Sequence, residues 1–182
     1  MRLFVAVEIA PEIRERIIEF ASRIKPRLAN ARWSRPEGLH ITLKFLGNVP
    51  DEKRSIIETK LFGINATPFR VTVSDVGVFP NAKSPRVLWV GVGTSEQLAR
   101  LAEQVDAALA ALGFEREKRA FTPHVTLARF NNRDTKTDLS VALSSASKAC
   151  FGTMTSTEFH LYESKLSPQG SQYSKLASFA LR

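Results

Sequence analysis

Residues 40–43, His-Ile-Thr-Leu, are answered by residues 124–127, His-Val-Thr-Leu, at an offset of 84 (124 − 40 = 84). Each tetrapeptide lies in a short apolar run rich in β-branched residues, the composition of a strand. Side chains alternate faces along a strand. His40 and Thr42 therefore share one face, with Ile41 and Leu43 on the other; His124 and Thr126 oppose Val125 and Leu127 in the same way. The apolar faces pack on a core, and the polar faces line a cleft holding two imidazoles and two hydroxyls.

The tetrapeptides sit in a longer repeat. Arg2-Leu3-Phe4-Val5-Ala6-Val7 aligns with Arg86-Val87-Leu88-Trp89-Val90-Gly91 at the same offset (86 − 2 = 84). Each half runs strand, helical stretch, His-x-Thr strand. The period far exceeds that of solenoid repeats and reads as an internal duplication. Two lobes, about 1–84 and 85–182, each contribute one motif strand to a site between them, within a single domain of 182 residues.

Outward from the motifs, Pro11 opens a helix running to Pro26, with Ile13, Ile17, Ile18, Phe20 and Ile24 as a rough helical stripe. Residues 31–39 read as a polar connection. Asp51 caps a helix to about Phe62, with Ile56, Ile57 and Leu61 inward. Phe69 to Val78 alternates as a half-buried strand, and Val87 to Val92 is another. Ser95 caps an amphipathic helix through Leu112, stopped by Gly113. Pro123 marks an edge position or a strand start for the second motif. Residues 131–137 read as a loop and 139–148 as a weak helix. Residues 155–166 and 172–181 form a hairpin about a turn at 167–170.

Composition narrows the partners. The chain is 43% hydrophobic and carries 26 Lys and Arg against 18 Asp and Glu, a net charge of +8 and a pI near 10.0. That balance suits an anionic partner such as nucleic acid, and equally a basic soluble surface. Cys150 is the only cysteine, which excludes an internal disulfide framework, favours an intracellular, cytoplasmic setting and reads as a packed or idle thiol. No apolar run approaches the roughly 18–20 residues that cross a bilayer, and the first residues do not form a signal peptide. No membrane partner is expected, and a monomer is the default.

Two histidines and two threonines fit cleavage of a phosphodiester. A base takes the nucleophile's proton, an acid protonates the leaving oxygen, and donors hold the non-bridging oxygens. Histidine titrates near neutrality and serves in either proton-transfer role; Thr42 and Thr126 donate to phosphate oxygens. The set needs neither metal nor cofactor. A zinc site requires three or four ligands, and threonine stands where a second ligand belongs. His160, in Glu158-Phe159-His160-Leu161-Tyr162, has no threonine two residues on and reads as an ordinary strand residue.

At these residues the chain resembles the two-histidine (2H) phosphoesterase superfamily, and within it the bacterial and archaeal RNA 2′,3′-cyclic phosphodiesterases once named 2′-5′ RNA ligases. The resemblance runs through Arg2–Val7, His40-Ile41-Thr42-Leu43-Lys44-Phe45-Leu46-Gly47, Phe121-Thr122-Pro123-His124-Val125-Thr126-Leu127-Ala128-Arg129 and Thr157–Ser164. It implies a bilobal α+β fold with pseudo-twofold duplication, antiparallel sheets lining a central cleft and helices outside. It implies hydrolysis of RNA 2′,3′-cyclic phosphate ends to 2′-phosphates, with 2′-5′ ligation as the reverse. By the same likeness His40 is the proton donor, His124 the proton acceptor, and Thr42, Thr126 and Arg129 bind phosphate. Exchanging the histidines gives the other regiochemistry.

Around this set, Lys44 shares the His40 and Thr42 face of a regular strand and is a candidate cleft cation. Phe45 faces away and packs in the core unless a bulge intervenes. Trp33, Arg35, Lys83 and Arg86 are looser RNA-contact candidates. The competing functions are a phosphodiesterase of a small cyclic nucleotide and a non-catalytic basic RNA-binding module.

Overall fold

A computed structural model describes residues 1–93, 95–130, 139, 143–144, 149–167 and 170–182. The elements run β1 (Arg2–Glu8), α1 (Pro11–Ile24), β2 (Arg32–Trp33), β3 (His40–Asn48), α2 (Arg54–Phe62), β4 (Phe69–Phe79), β5 (Val87–Val92), α3 (Glu96–Ala110), β6 (His124–Arg129), β7 (Cys150–Ser156), β8 (Glu158–Ser167) and β9 (Gly170–Ala180). This is an α+β fold on one antiparallel sheet, ordered β7-β4-β5-β6-β3-β1-β8-β9, with β2 paired to β6.

The sheet consists of two four-stranded halves that meet where β3 crosses β6, with Ile41 opposite Val125. The pseudo-twofold axis passes through this crossing and relates β3 to β6, β1 to β5 and β8 to β4. One half, β4 to β7, is the middle of the chain, whereas the other joins β1 and β3 from its start to β8 and β9 from its end. The division in space therefore does not fall at residue 84.

The helices cover one face. Ile13, Ile17 and Ile24 of α1, Ile57 and Leu61 of α2, and Leu98, Leu101, Val105 and Leu109 of α3 are all buried. They join Leu3, Val5, Val7, Leu88 and Val90 from the central strands in one core. Truncating one such Leu or Ile to Ala costs about 2–5 kcal/mol. On the opposite face Phe4, Ala6 and Tyr162 form a small second cluster flanked by Tyr173. Strand β1 is covered on both sides, which is why it reads as an unbroken apolar run.

Several expectations shift in detail. Asp51 does not cap α2: a 3-10 turn (Asp51–Lys53) precedes the helix, and the Asp51 carboxylate instead takes the Met1 ammonium at 3.2 Å. Ile56 is exposed. Ser95 does cap α3, its Oγ accepting from the Leu98 N–H at 3.3 Å. Strand β6 starts directly after Pro123 and lies in mid-sheet, so this proline marks a start and not an edge. Strands β2 and β7 were not anticipated. The 131–137 loop, most of the 139–148 helix and the centre of the 167–170 turn fall outside the described residues. Cys150 is exposed, not packed. Among the described residues no helix is long and apolar enough to cross a membrane.

The offset of 84 holds for the motifs but not for the opening strands. Ala6 pairs with Thr42, whereas Trp89 pairs with Thr126, an offset of 83 (89 − 6 = 83). A one-residue slip exchanges the faces of a strand. At 84, core-facing Val5 would match Trp89; at 83 it matches Leu88, which is fully buried.

Candidate active site

His40 and His124 start β3 and β6, and each lies next to the crossing at Ile41 and Val125. Antiparallel running about that pair sets His40 across from Thr126 and His124 across from Thr42. The structure thus brings together the four residues of the two motifs.

The two rings are held alike. His124 Nδ1–H donates to the Thr122 carbonyl at 2.7 Å, which leaves Nε2 for a ligand. His40 makes the corresponding hydrogen bond to the Gly38 backbone, again two residues upstream. Aromatic rings wall both. Phe4 stacks on His40 with centroids 4.7 Å apart, and Tyr173 meets it edge-on at 5.4 Å. Phe79 meets His124 edge-on at 5.1 Å, and Trp89 lies 6.4 Å away. A Cβ on Gly38 would stand 2.7 Å from Tyr173 Cε2, so only glycine lets this ring close over His40.

The His40 imidazolium is pushed down to about 4, chiefly by burial among these rings; the Gly38 hydrogen bond opposes this, and His124 and Arg129 act with it. Burial also lowers His124, again with Arg129 acting in the same direction. Desolvation penalises the charged imidazole, and a nearby cation adds to the penalty. Arg129 thus stands within electrostatic reach of both histidines.

A β-bulge follows each motif. Val5 pairs with Lys44 and Ala6 with Thr42, leaving Leu43 extra. Leu88 pairs with Ala128 and Trp89 with Thr126, leaving Leu127 extra. One inserted residue reverses the facing of all that follow. Lys44 accordingly turns away from the cleft: its ammonium is buried against α3, 2.5 Å from Asp106 Oδ1 and 2.7 Å from the Glu115 carbonyl. Lys44 is not a cleft cation. Phe45 turns the other way and is not core: it is 64% exposed, with its ring 6.0 Å from Phe4 on the His40 side of the sheet. Arg129 occupies the equivalent place in the second half (129 − 45 = 84) and is likewise exposed.

Two matches to the family model described as LigT-like phosphoesterase cover residues 7–89 and 90–173, one for each repeat. The chain belongs to the LigT-like phosphoesterase family. Curated LigT-like relatives include the RNA 2′,3′-cyclic phosphodiesterase of Archaeoglobus fulgidus, 39% identical over 98% of this chain and 99% of that one. That of Methanocaldococcus jannaschii is 33% identical over 95% and 96%. Among solved structures, E. coli LigT complexed with 3′-AMP superposes with a TM-score of 0.82 at 30% identity, covering 99% of this chain and 97% of that one. The protein is an enzyme of the 2H phosphoesterase type.

Of the looser candidates, Trp33 packs against the core and Lys83 and Arg86 are exposed. His160 is fully buried with its Nδ1 2.9 Å from Ser178 Oγ, a structural strand residue as expected. The aromatic walls Phe4, Phe79, Trp89 and Tyr173 escaped the sequence reading, because nothing local to them shows that distant strands bring them onto two histidines.

Proposed function

We propose that the protein hydrolyses RNA 2′,3′-cyclic phosphate ends to 2′-phosphates without a metal. Water attacks phosphorus as His124 takes its proton; the P–O3′ bond breaks, and His40 delivers a proton to O3′. Thr42, Thr126 and Arg129 hold the non-bridging oxygens. The carrying observation is the matched pair of imidazoles, each anchored to the backbone two residues upstream. Two groups on opposite sides of one phosphorus can then act as acid and base. The relatives named RNA 2′,3′-cyclic phosphodiesterase support the substrate. Phe45 is placed to stack on a base.

The reverse reaction joins a cyclic end to a 5′-hydroxyl through a 2′-5′ bond, with the two proton-transfer roles exchanged. A nucleotide-sized substrate is the second reading, favoured by the LigT complexes with 3′-AMP and NADP+. We take residues 1–182 as one unit, acting as a cytoplasmic monomer.

Product analysis on a short RNA with a 2′,3′-cyclic end, in EDTA, tests the reading. Wild type yields a 2′-phosphate, and His40→Ala or His124→Ala lowers turnover by about 10²–10⁴-fold while the fold survives. A 3′-phosphate product reverses the acid and base roles. Loss of activity in EDTA restored by a divalent metal removes the metal-free mechanism. Undiminished turnover in either variant removes the pair.

A further inference from the structure

Strand β2 is only two residues long, yet it carries an arginine paired across strands with another arginine at the cleft. Arg32 lies directly opposite Arg129, and Trp33 directly opposite Ala128. Directly opposed residues on antiparallel strands share a face, with Cβ atoms about 4.5–5.5 Å apart. Ala128 is fully buried and Trp33 packs on the helix side. Alternation therefore sends Arg32 and Arg129 together to the cleft face, where both are exposed.

Like charges set directly opposite each other destabilise a ladder. Among the described residues neither guanidinium has a carboxylate within ion-pair distance; Glu8, on the other half of the sheet, is taken by Lys175 at 2.8 Å and Arg14 at 3.3 Å. The arrangement breaks a local rule at the edge of the site, where such violations mark function. Strand β2 is also fastened to the chemistry. The Ser34 N–H donates to the Leu127 carbonyl at 2.7 Å. Its hydroxyl donates to the carbonyl of Thr126 itself at 2.8 Å. Arg32 is thus fixed relative to the phosphate-binding threonine, one strand beyond the arginine that acts on both histidines.

An RNA terminus supplies an anion for that position. A nucleotide closed as a 2′,3′-cyclic phosphate at the end of a chain has one other phosphate, the diester on its 5′ side. We propose that Arg32 binds this diester, so that the enzyme selects the end of a polynucleotide over a free nucleoside cyclic phosphate. The inference rests on the proposed function and names a second phosphate subsite for it.

The test compares kcat/KM for a dinucleotide ending in a 2′,3′-cyclic phosphate with that for a mononucleoside 2′,3′-cyclic phosphate. Wild type prefers the dinucleotide. In Arg32→Gln the ratio falls by about tenfold or more, the scale of one charge-assisted hydrogen bond. The loss lies in KM, as for binding shared by ground and transition states. The dinucleotide's log-log salt dependence becomes shallower by about one unit, and Arg32→Lys recovers part of the preference. A ratio unchanged by Arg32→Gln, or an equal fall on both substrates, overturns the subsite and leaves the proposed function standing. A wild type that turns over neither substrate overturns both.

Discussion

Ile41 and Val125, both fully buried, are paired across the centre of the sheet where β3 meets β6. Beyond them the strands diverge, and β2 takes up the pairing with β6. The crossing brings two imidazoles from opposite halves into each other's field.

That proximity sets the pH dependence. Turnover needs one imidazole protonated and one neutral, and kcat/KM reports their pKa values in the free enzyme. His40 is pushed down to about 4 by burial, and His124 is lowered below its usual value by the same cause. The singly protonated form therefore peaks between two values that both lie under about 6.5. We expect kcat/KM to be highest below that pH and to fall about tenfold per unit above the higher value. Arg129→Met removes a cation that lowers both, so its descending limb moves to higher pH. Profiles from pH 4 to 8 check this; an unmoved limb in the variant separates Arg129 from the histidines.

Lys44 and Asp106 form a buried ion pair between β3 and α3, with side chains 7% and 13% exposed. Burial raises the Asp106 carboxyl, but hydrogen bonds from Lys44 and Arg116 outweigh this and hold it below its usual value. Lys44→Ala leaves the carboxylate with Arg116 and the Glu117 N–H and costs about 3 kcal/mol, the lower end for breaking a buried pair. Urea unfolding measures the loss. Activity per folded molecule stays within about twofold, because the bulge has turned Lys44 away from the cleft; a hundredfold fall in a folded variant contradicts that placement.

Gly77 lies under the Trp89 indole, where an added Cβ would come 2.2 Å from Cζ2. Gly77→Ala must displace a ring that also faces His124. We expect a loss of about 1–3 kcal/mol from overpacking, with a fall in kcat. Thermal unfolding and turnover should change together; a stable variant with wild-type kcat places no demand on this wall.

Phe45 is exposed, so Phe45→Ala changes stability by no more than about 0.5 kcal/mol. If it stacks on a base, truncation costs about 1–3 kcal/mol of binding, or roughly 5- to 150-fold in KM. Steady-state kinetics on a cyclic-ended RNA decides, and an unchanged KM withdraws the ring from substrate contact.

The sequence by itself determined the motif strands, their duplication, the faces shared by His and Thr within each tetrapeptide, and the helices α1 and α3. These depend on spacing over a few residues, which strand and helix periods translate directly into a face. The tertiary structure decided what lies one step further. The bulges at Leu43 and Leu127 insert a residue that no periodic count registers, and so exchange the places predicted for Lys44 and Phe45. Strand β2 is too short to show a period, and Arg32 acquires its meaning only opposite Arg129, 97 positions away (129 − 32 = 97). The low titration of His40 likewise belongs to no tetrapeptide; it comes from rings on β1 and β9 that long-range pairing folds around it.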